Sequence, residues 1–152
     1  MNKILFSSNS EEWETPQELY NKLDAIFKFE LDPCATSKNA KCFYYYTKER
    51  DGLSQNWGGL RVFCNPPYGR TIGSWVKKSF ETFFQNNKAD TIVLLLPART
   101  NTNWFHNYIY NKSEIIFLKG RLHFNNSKNA APFPSMIVIY RGREDYGKEV
   151  NL

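Results

Sequence analysis

The tetrad Asn65-Pro66-Pro67-Tyr68 stands directly after the apolar run Val62-Phe63-Cys64 and before Gly69, and its residue types could grip an exocyclic amine. Pro66 and Pro67 carry no backbone N–H, and each biases its predecessor toward extended geometry, so the loop is stiff and rich in acceptors. Asn65 adds a side-chain carbonyl. Two acceptors held side by side suit the two N–H bonds of an adenine N6 amine, and the Tyr68 ring can stack on a base lifted from its duplex. The N6 lone pair is delocalised into the ring, so accepting its hydrogen bonds pushes density back onto nitrogen as it attacks a methyl sulfonium. Catalysis of this kind is electrostatic and positional. No His or carboxylate stands in the tetrad to serve as a titrating base. The same grip serves other planar amines and amides, and a plain proline turn closing a strand is the competing explanation.

The elements that must position this loop are legible on either side of it. Thr15-Pro16-Gln17-Glu18 spells a capping box with proline at the first helical position, and Leu19, Leu23, Ile26 and Phe27 follow at helical spacing. This predicts a helix over residues 16–28. Residues 29–32 read as a short strand ending in the turn Pro33-Cys34-Ala35, residues 42–46 as a second strand, and residues 61–64 as a third that leads into the tetrad. Asp51-Gly52-Leu53 and Trp57-Gly58-Gly59 read as turns between them. Downstream, Ile72, Trp75, Val76, Phe80, Phe83 and Phe84 form one helical face, and the apolar run 91–96, ended by Pro97, suits a strand buried on both sides. Trp104, Phe105, Tyr108 and Ile109 suggest another helix, residues 114–118 and 136–140 two more strands, and the Asn-rich stretch 125–134 an exposed loop. The alternation predicts an α/β fold, a mainly parallel sheet flanked by helices. Ligands in such sheets sit beyond the carboxyl ends of the strands, where Asp32 and Asn65 both fall.

With 152 residues and 41% hydrophobic content, the chain can bury one sizeable core, and residues 1–152 are expected to form a single domain. A formal charge of +5 is compatible with a polyanionic partner without requiring one. Cys34, Cys42 and Cys64 lack CxxC spacing, and with His106 and His123 they make no closed zinc set, so free thiols are expected. Met1 opens no charged-then-apolar leader, and no apolar run is long enough to cross a bilayer, which points to a cytoplasmic protein without a membrane partner.

Taken in order, Trp13-Glu14-Thr15-Pro16, Leu31-Asp32-Pro33-Cys34-Ala35, Asp51-Gly52-Leu53, Asn65-Pro66-Pro67-Tyr68-Gly69, Leu94-Leu95-Leu96-Pro97-Ala98, Gly120-Arg121-Leu122-His123-Phe124 and Ala131-Pro132-Phe133-Pro134-Ser135 form a set. Together they resemble the small phage-type, Dam-like DNA N6-adenine methyltransferases, over about residues 13–140. The resemblance implies a Rossmann-like methyltransferase fold, S-adenosylmethionine as cofactor, DNA as substrate, and a bacterial or phage-infected cytoplasm. It implies that Asp32, Pro33, Cys34 and Ala35 face the amino-acid and ribose portions of the cofactor and that Thr15 and Pro16 lie at its methionine end. Asp51 would accept from the cofactor's adenine amine with Leu53 packed nearby, and Asn65 would border both the cofactor and the target base. From the residues alone, Thr15 is equally a helix cap, and capping a turn is the lesser reading of Asp32 and Asp51.

Phe63, Trp75 and Trp104 sit on apolar faces and read as packing, His106 and His123 as structural groups. Arg99, Arg121 and Lys128 suit either phosphate or a solvated face. Two departures from the family pattern stand out. Ala35-Thr36-Ser37 occupies the place of a glycine-rich turn, and no length remains for a separate target-recognition domain. Loops 69–73, 99–103 and 121–134 are left to contact DNA. The alternatives are methylation of RNA adenine or of a protein glutamine, and a catalytically silent nucleic-acid-binding module that keeps the fold.

Overall fold

The computed structural model describes residues 12–85 and 90–152. Helix α1 (Gln17–Phe27) buries Leu19, Leu23 and Phe27, the i, i+4 stripe set by the apolar spacing, together with Tyr20. It stops where Lys28 turns left-handed, at φ 53°, and donates its N–H to the Asp24 carbonyl. The expected capping box does not form. Pro16 takes the N-cap position without a side-chain cap, and the Thr15 hydroxyl is bonded to Asn65 instead.

The strands are β1 (Leu31–Asp32), β2 (Tyr44–Tyr45), β3 (Val62–Cys64), β4 (Ile92–Pro97), β5 (Glu114–Phe117) and β6 (Ser135–Tyr140), with α2 (Ile72–Gln85) and α3 (Asn103–Tyr108) as the remaining helices. β2 is shorter than residues 42–46 suggest because it lies at the sheet edge with both residues exposed, so no burial extends it. The spatial order is β2-β1-β3-β4-β6-β5. Strands β2, β1, β3 and β4 run parallel, whereas β6 is antiparallel to both β4 and β5. The sheet is therefore mixed, with three parallel pairings and two antiparallel ones. The physical reason lies between β5 and β6, where no helix provides the crossover a parallel return requires.

Register assigns the two faces. Val62 pairs with Ile92, and Ile92 with Tyr140. On that face the Tyr140 ring meets Phe80, Phe83 and Phe84 of α2, and its hydroxyl donates to the Tyr108 carbonyl of α3. Phe63 points the other way, onto Tyr20 of α1. Strands β4 and β6, covered on both sides, are buried at every residue. Because β1, β3 and β4 are parallel, their carboxyl ends at Asp32, Cys64 and Pro97 share one edge of the sheet. β1 has β2 on one side and β3 on the other, so the chain reverses its winding there and opens a crevice. Among the described residues no helix is long and apolar enough to cross a membrane.

Candidate active site

Asp32 ends β1 and is 5% exposed. Its carboxylate accepts the backbone N–H of Cys34 at 3.3 Å and of Lys41 at 3.0 Å, which ties loop 33–41 to the strand. Within the loop, Thr36 donates its N–H to Asn39 Oδ1 at 2.7 Å, and Asn39 donates its N–H to Thr36 Oγ1 at 3.2 Å. Side-chain oxygens thus order a turn that contains no glycine. Burial pushes the Asp32 pKa up to about 6, against the opposing pull of the Lys41 and Cys34 amides and the Lys41 charge. Burial, with Asp32 next, likewise pushes the Cys34 thiol up to about 12, so at neutral pH it is not a nucleophile.

Asp51 lies on the same cavity wall with a left-handed backbone at φ 50°, a conformation Asp tolerates better than most residues. It heads the 3-10 turn Gly52–Ser54. A Cβ on Gly52 would stand 2.0 Å from the Pro33 carbonyl oxygen and 3.0 Å from the Trp75 ring. Only glycine lets this turn press against the β1 loop. Trp57 Nε1 donates to the Gly52 carbonyl at 2.9 Å, and the Trp57 ring stacks on Trp75 with centroids 6.1 Å apart. The turn is rigid from behind, yet the Asp51 carboxylate accepts no hydrogen bond among the described residues.

Asn65, one residue past β3, is held from the opposite side. Its Nδ2 donates to the Trp13 carbonyl and, at 3.0 Å, to Thr15 Oγ1. A backbone carbonyl can only accept, so the amide has one permissible orientation and Oδ1 is its free end. That oxygen is shielded from solvent and has no partner among the described residues. Among the described residues only Ser135 Oγ shares this condition. An unsatisfied buried acceptor costs about 1–3 kcal/mol, a cost that a donor reaching this oxygen from the cavity would relieve.

Burial alternates along the tetrad: Pro66 and Tyr68 turn inward, Asn65 and Pro67 toward the cavity. The Tyr68 hydroxyl donates to the Leu95 carbonyl at 3.0 Å, and the ring packs edgewise on Phe124 and Phe133 with centroids at 6.2 and 5.6 Å. Burial pushes its phenol well above the ordinary tyrosine range. The open stacking face expected of Tyr68 is therefore taken up by the chain's own aromatic cluster.

A cavity of about 550 Å³ collects Thr15, Asp32, Pro33, Cys34, Ala35, Asp51, Leu53, Asn65 and Pro67, a volume typical of small-molecule sites. Pro16, Pro66 and Tyr68 lie off its wall. Sequence reasoning did not assign Trp13, Gly52 or Asn126 to the wall, and took Trp75 as packing alone. The Asp-Gly dipeptide at 51–52 carried a turn signal that marks Gly52, whereas nothing local marks Asn126. The wall bears the carboxylates of Glu12, Glu14, Asp32, Glu49 and Asp51 against the ammonium groups of Lys41 and Lys48. An acidic pocket in a chain of net charge +5 favours a ligand that carries positive charge. Among the described residues no cluster of three or more His, Cys, Asp or Glu could hold a metal ion.

A family model described as DNA N-6-adenine-methyltransferase (Dam) matches residues 4–151. The chain is 29% identical over 148 residues to the DNA N-6-adenine-methyltransferase of Haemophilus phage HP1 (strain HP1c1), covering 92% of this chain and 84% of that one. It is 37% identical over 112 residues to the DNA N-6-adenine-methyltransferase of Escherichia phage T1, covering 72% of this chain and 45% of that one. A crystal structure of Thermoplasma acidophilum 1320 aligns with a TM-score of 0.44 at 15% identity over 83% of this chain and 85% of that one. At that distance the likeness carries no argument.

Proposed function

The chain belongs to the DNA N-6-adenine-methyltransferase (Dam) family, and we infer that it methylates N6 of adenine in DNA, with S-adenosylmethionine as methyl donor. The observation that carries this reading at the level of the site is the Asn65 amide. Its N–H₂ end is committed to Trp13 and Thr15, and its buried oxygen awaits a donor. An adenine amine supplies that donor. Asn65 Oδ1 and the Pro66 carbonyl then accept its two hydrogens and raise the electron density on nitrogen as it attacks. Tyr68 is not a base, since its proton is held by Leu95 and its pKa is raised by burial. It pins the tetrad to β4.

The cavity residues fit the donor by their chemistry. S-adenosylmethionine supplies a methyl group activated on a sulfonium. An acidic wall suits that cation, and the Asp51 carboxylate, which accepts no hydrogen bond among the described residues, suits the amine of the cofactor's own adenine. In this reading Leu53 lines the wall beside that ring, Asp32 with Pro33, Cys34 and Ala35 faces the ribose and amino-acid portions, and Thr15 borders the methionine end with Pro16 behind it, off the wall. The crevice between β1 and β3 fits a Rossmann-like methyltransferase fold built as one minimal domain. Arg70, Arg99, Arg121 and Lys128 are exposed on loops 69–73, 99–103 and 121–134 and are available to phosphate.

The test is incubation with methyl-labelled S-adenosylmethionine and, separately, DNA, RNA and protein, followed by nucleoside and amino-acid analysis. Label in N6-methyladenine from DNA is the expected result. Label confined to RNA or to glutamine would overturn the choice of substrate.

A further inference from the structure

The amide orientation of Asn65 is set by groups that are themselves held by a loop on the far side of the sequence. Asn126 Nδ2 donates to the Glu12 carbonyl at 2.9 Å, and Asn126 Oδ1 accepts the Glu14 N–H at 2.9 Å. Beside it, the Asn125 N–H donates to the Glu14 carbonyl at 2.9 Å. Residues 12–14 are thus read on both edges, as an extended chain allows. The backbone groups of Glu12 and Glu14 face residues 125–126, and the intervening Trp13 carbonyl faces Asn65. The next residue, Thr15, supplies Asn65 with its second acceptor.

Ring contacts reinforce the same link. Trp13 packs on Phe124 and Phe133 with centroids at 5.3 and 5.2 Å, so aromatic residues at both ends of the Asn-rich loop hold the segment against it. Asn126 is exposed yet lies on the cavity wall. An exposed Asn that satisfies two backbone groups of one segment contributes little to the core. What it fixes is the segment's position.

We propose that Asn126 is a positioning residue for methyl transfer: by clamping Glu12 and Glu14 it places the Trp13 carbonyl and Thr15 hydroxyl that aim Asn65 Oδ1 at the target amine. The proposal rests on the reading of Asn65 as the amine acceptor. It makes loop 121–134 part of the catalytic geometry as well as a surface offered to DNA.

The experiment uses the full chain with Asn126→Ala and Asn65→Ala, singly and together. Asn126→Ala is expected to lower kcat about tenfold, in keeping with the cost of a misplaced reacting group, with a smaller change in KM for the methyl donor, whose methionine end Thr15 borders. The Asn65 side-chain amide resonances, assigned by their loss in Asn65→Ala, should shift and exchange faster with solvent. In the Asn65→Ala background, Asn126→Ala should cost nothing further, because its effect passes through Asn65. Asn126→Asp, which keeps an acceptor for the Glu14 N–H and removes the donor to the Glu12 carbonyl, should move kcat and the amide resonances in the same direction by less. Unchanged kcat in Asn126→Ala, unmoved Asn65 amide resonances, or multiplicative losses in the double variant would each overturn the proposal. Normal turnover by Asn65→Ala would end the reading of Asn65 itself, a separate failure, since the amide coupling would still be measurable.

Discussion

Two polar constellations sit at opposite edges of the same sheet, and they differ in whether they are finished. At the amino ends of β3 and β4, the fully buried Asp145 carboxylate accepts from Arg61, from the Thr91 hydroxyl and, at 2.7 Å, from Lys148. Thr91 Oγ1 in turn accepts the Gly142 N–H at 2.8 Å, and Arg141 donates to the Asp145 carbonyl at 2.8 Å. Burial alone would raise the Asp145 pKa, but Lys148, Thr91 and Arg61 outweigh it and hold the carboxyl below its ordinary range. At the carboxyl ends, among the described residues, Asn65 Oδ1 has no partner and Asp51 accepts no hydrogen bond, and burial dominates Asp32. A saturated cluster is scaffold. An unsaturated one, held rigid by neighbours that are themselves satisfied, is prepared for a ligand.

The sharpest break of this contrast comes from removing one member of each cluster. Asp145→Ala leaves the partly buried Arg61 with the exposed Glu144, 3.8 Å away, as its remaining carboxylate and is expected to cost about 3–5 kcal/mol of stability, while turnover per folded molecule stays near wild type. Urea unfolding together with activity normalised to folded protein checks both halves. Asn65→Ala should do the reverse: little change in unfolding midpoint or methyl-donor affinity, and a loss of on the order of a hundredfold or more in turnover. If Asn65→Ala chiefly destabilised the chain, the distinction between the two edges would collapse.

Asp51→Ala tests the cofactor side of the unsaturated edge. A charge-assisted hydrogen bond contributes about 1.5–3 kcal/mol, so the Kd for S-adenosylmethionine should rise at least about tenfold, with DNA binding less affected. Calorimetry giving an unchanged Kd would reduce Asp51 to a turn residue.

The gentlest test is the pH dependence of stability, where the two buried aspartates have opposite signs. Folded Asp32 keeps its proton up to about 6, whereas its ordinary value is 3.8. Between these values the native state binds more protons than the unfolded one, so this group lowers stability as pH rises from about 4 to about 6. Asp145, with a depressed folded pKa, contributes stability that is complete above its unfolded pKa and is lost as pH falls through the folded one. Asp32→Asn should flatten the melting profile between about pH 4 and 6 and leave the acid limb attributable to Asp145 in place. A wild-type profile unaltered by Asp32→Asn would mean that Asp32 is better solvated than its burial indicates.

Much of the architecture was determined by the sequence itself. Helical apolar spacing placed α1 and α2, the continuous apolar run of 91–96 marked β4 as a doubly covered strand, and two prolines made the tetrad rich in acceptors whatever surrounds it. These are properties of a residue or of its near neighbours, so they survive without knowledge of the fold. Tertiary structure decided the rest. Thr15 read as a helix cap until Asn65, 50 residues away, claimed its hydroxyl. Tyr68 read as an open ring until Phe124 and Phe133 closed on it, and the direction of β6 depended on the absence of a crossover helix after β5. The orientation of the Asn65 amide, on which the chemistry turns, was fixed by a carbonyl 52 residues earlier. Hydrogen bonds and burial are relations between groups brought together in space, and a sequence shows only one partner at a time.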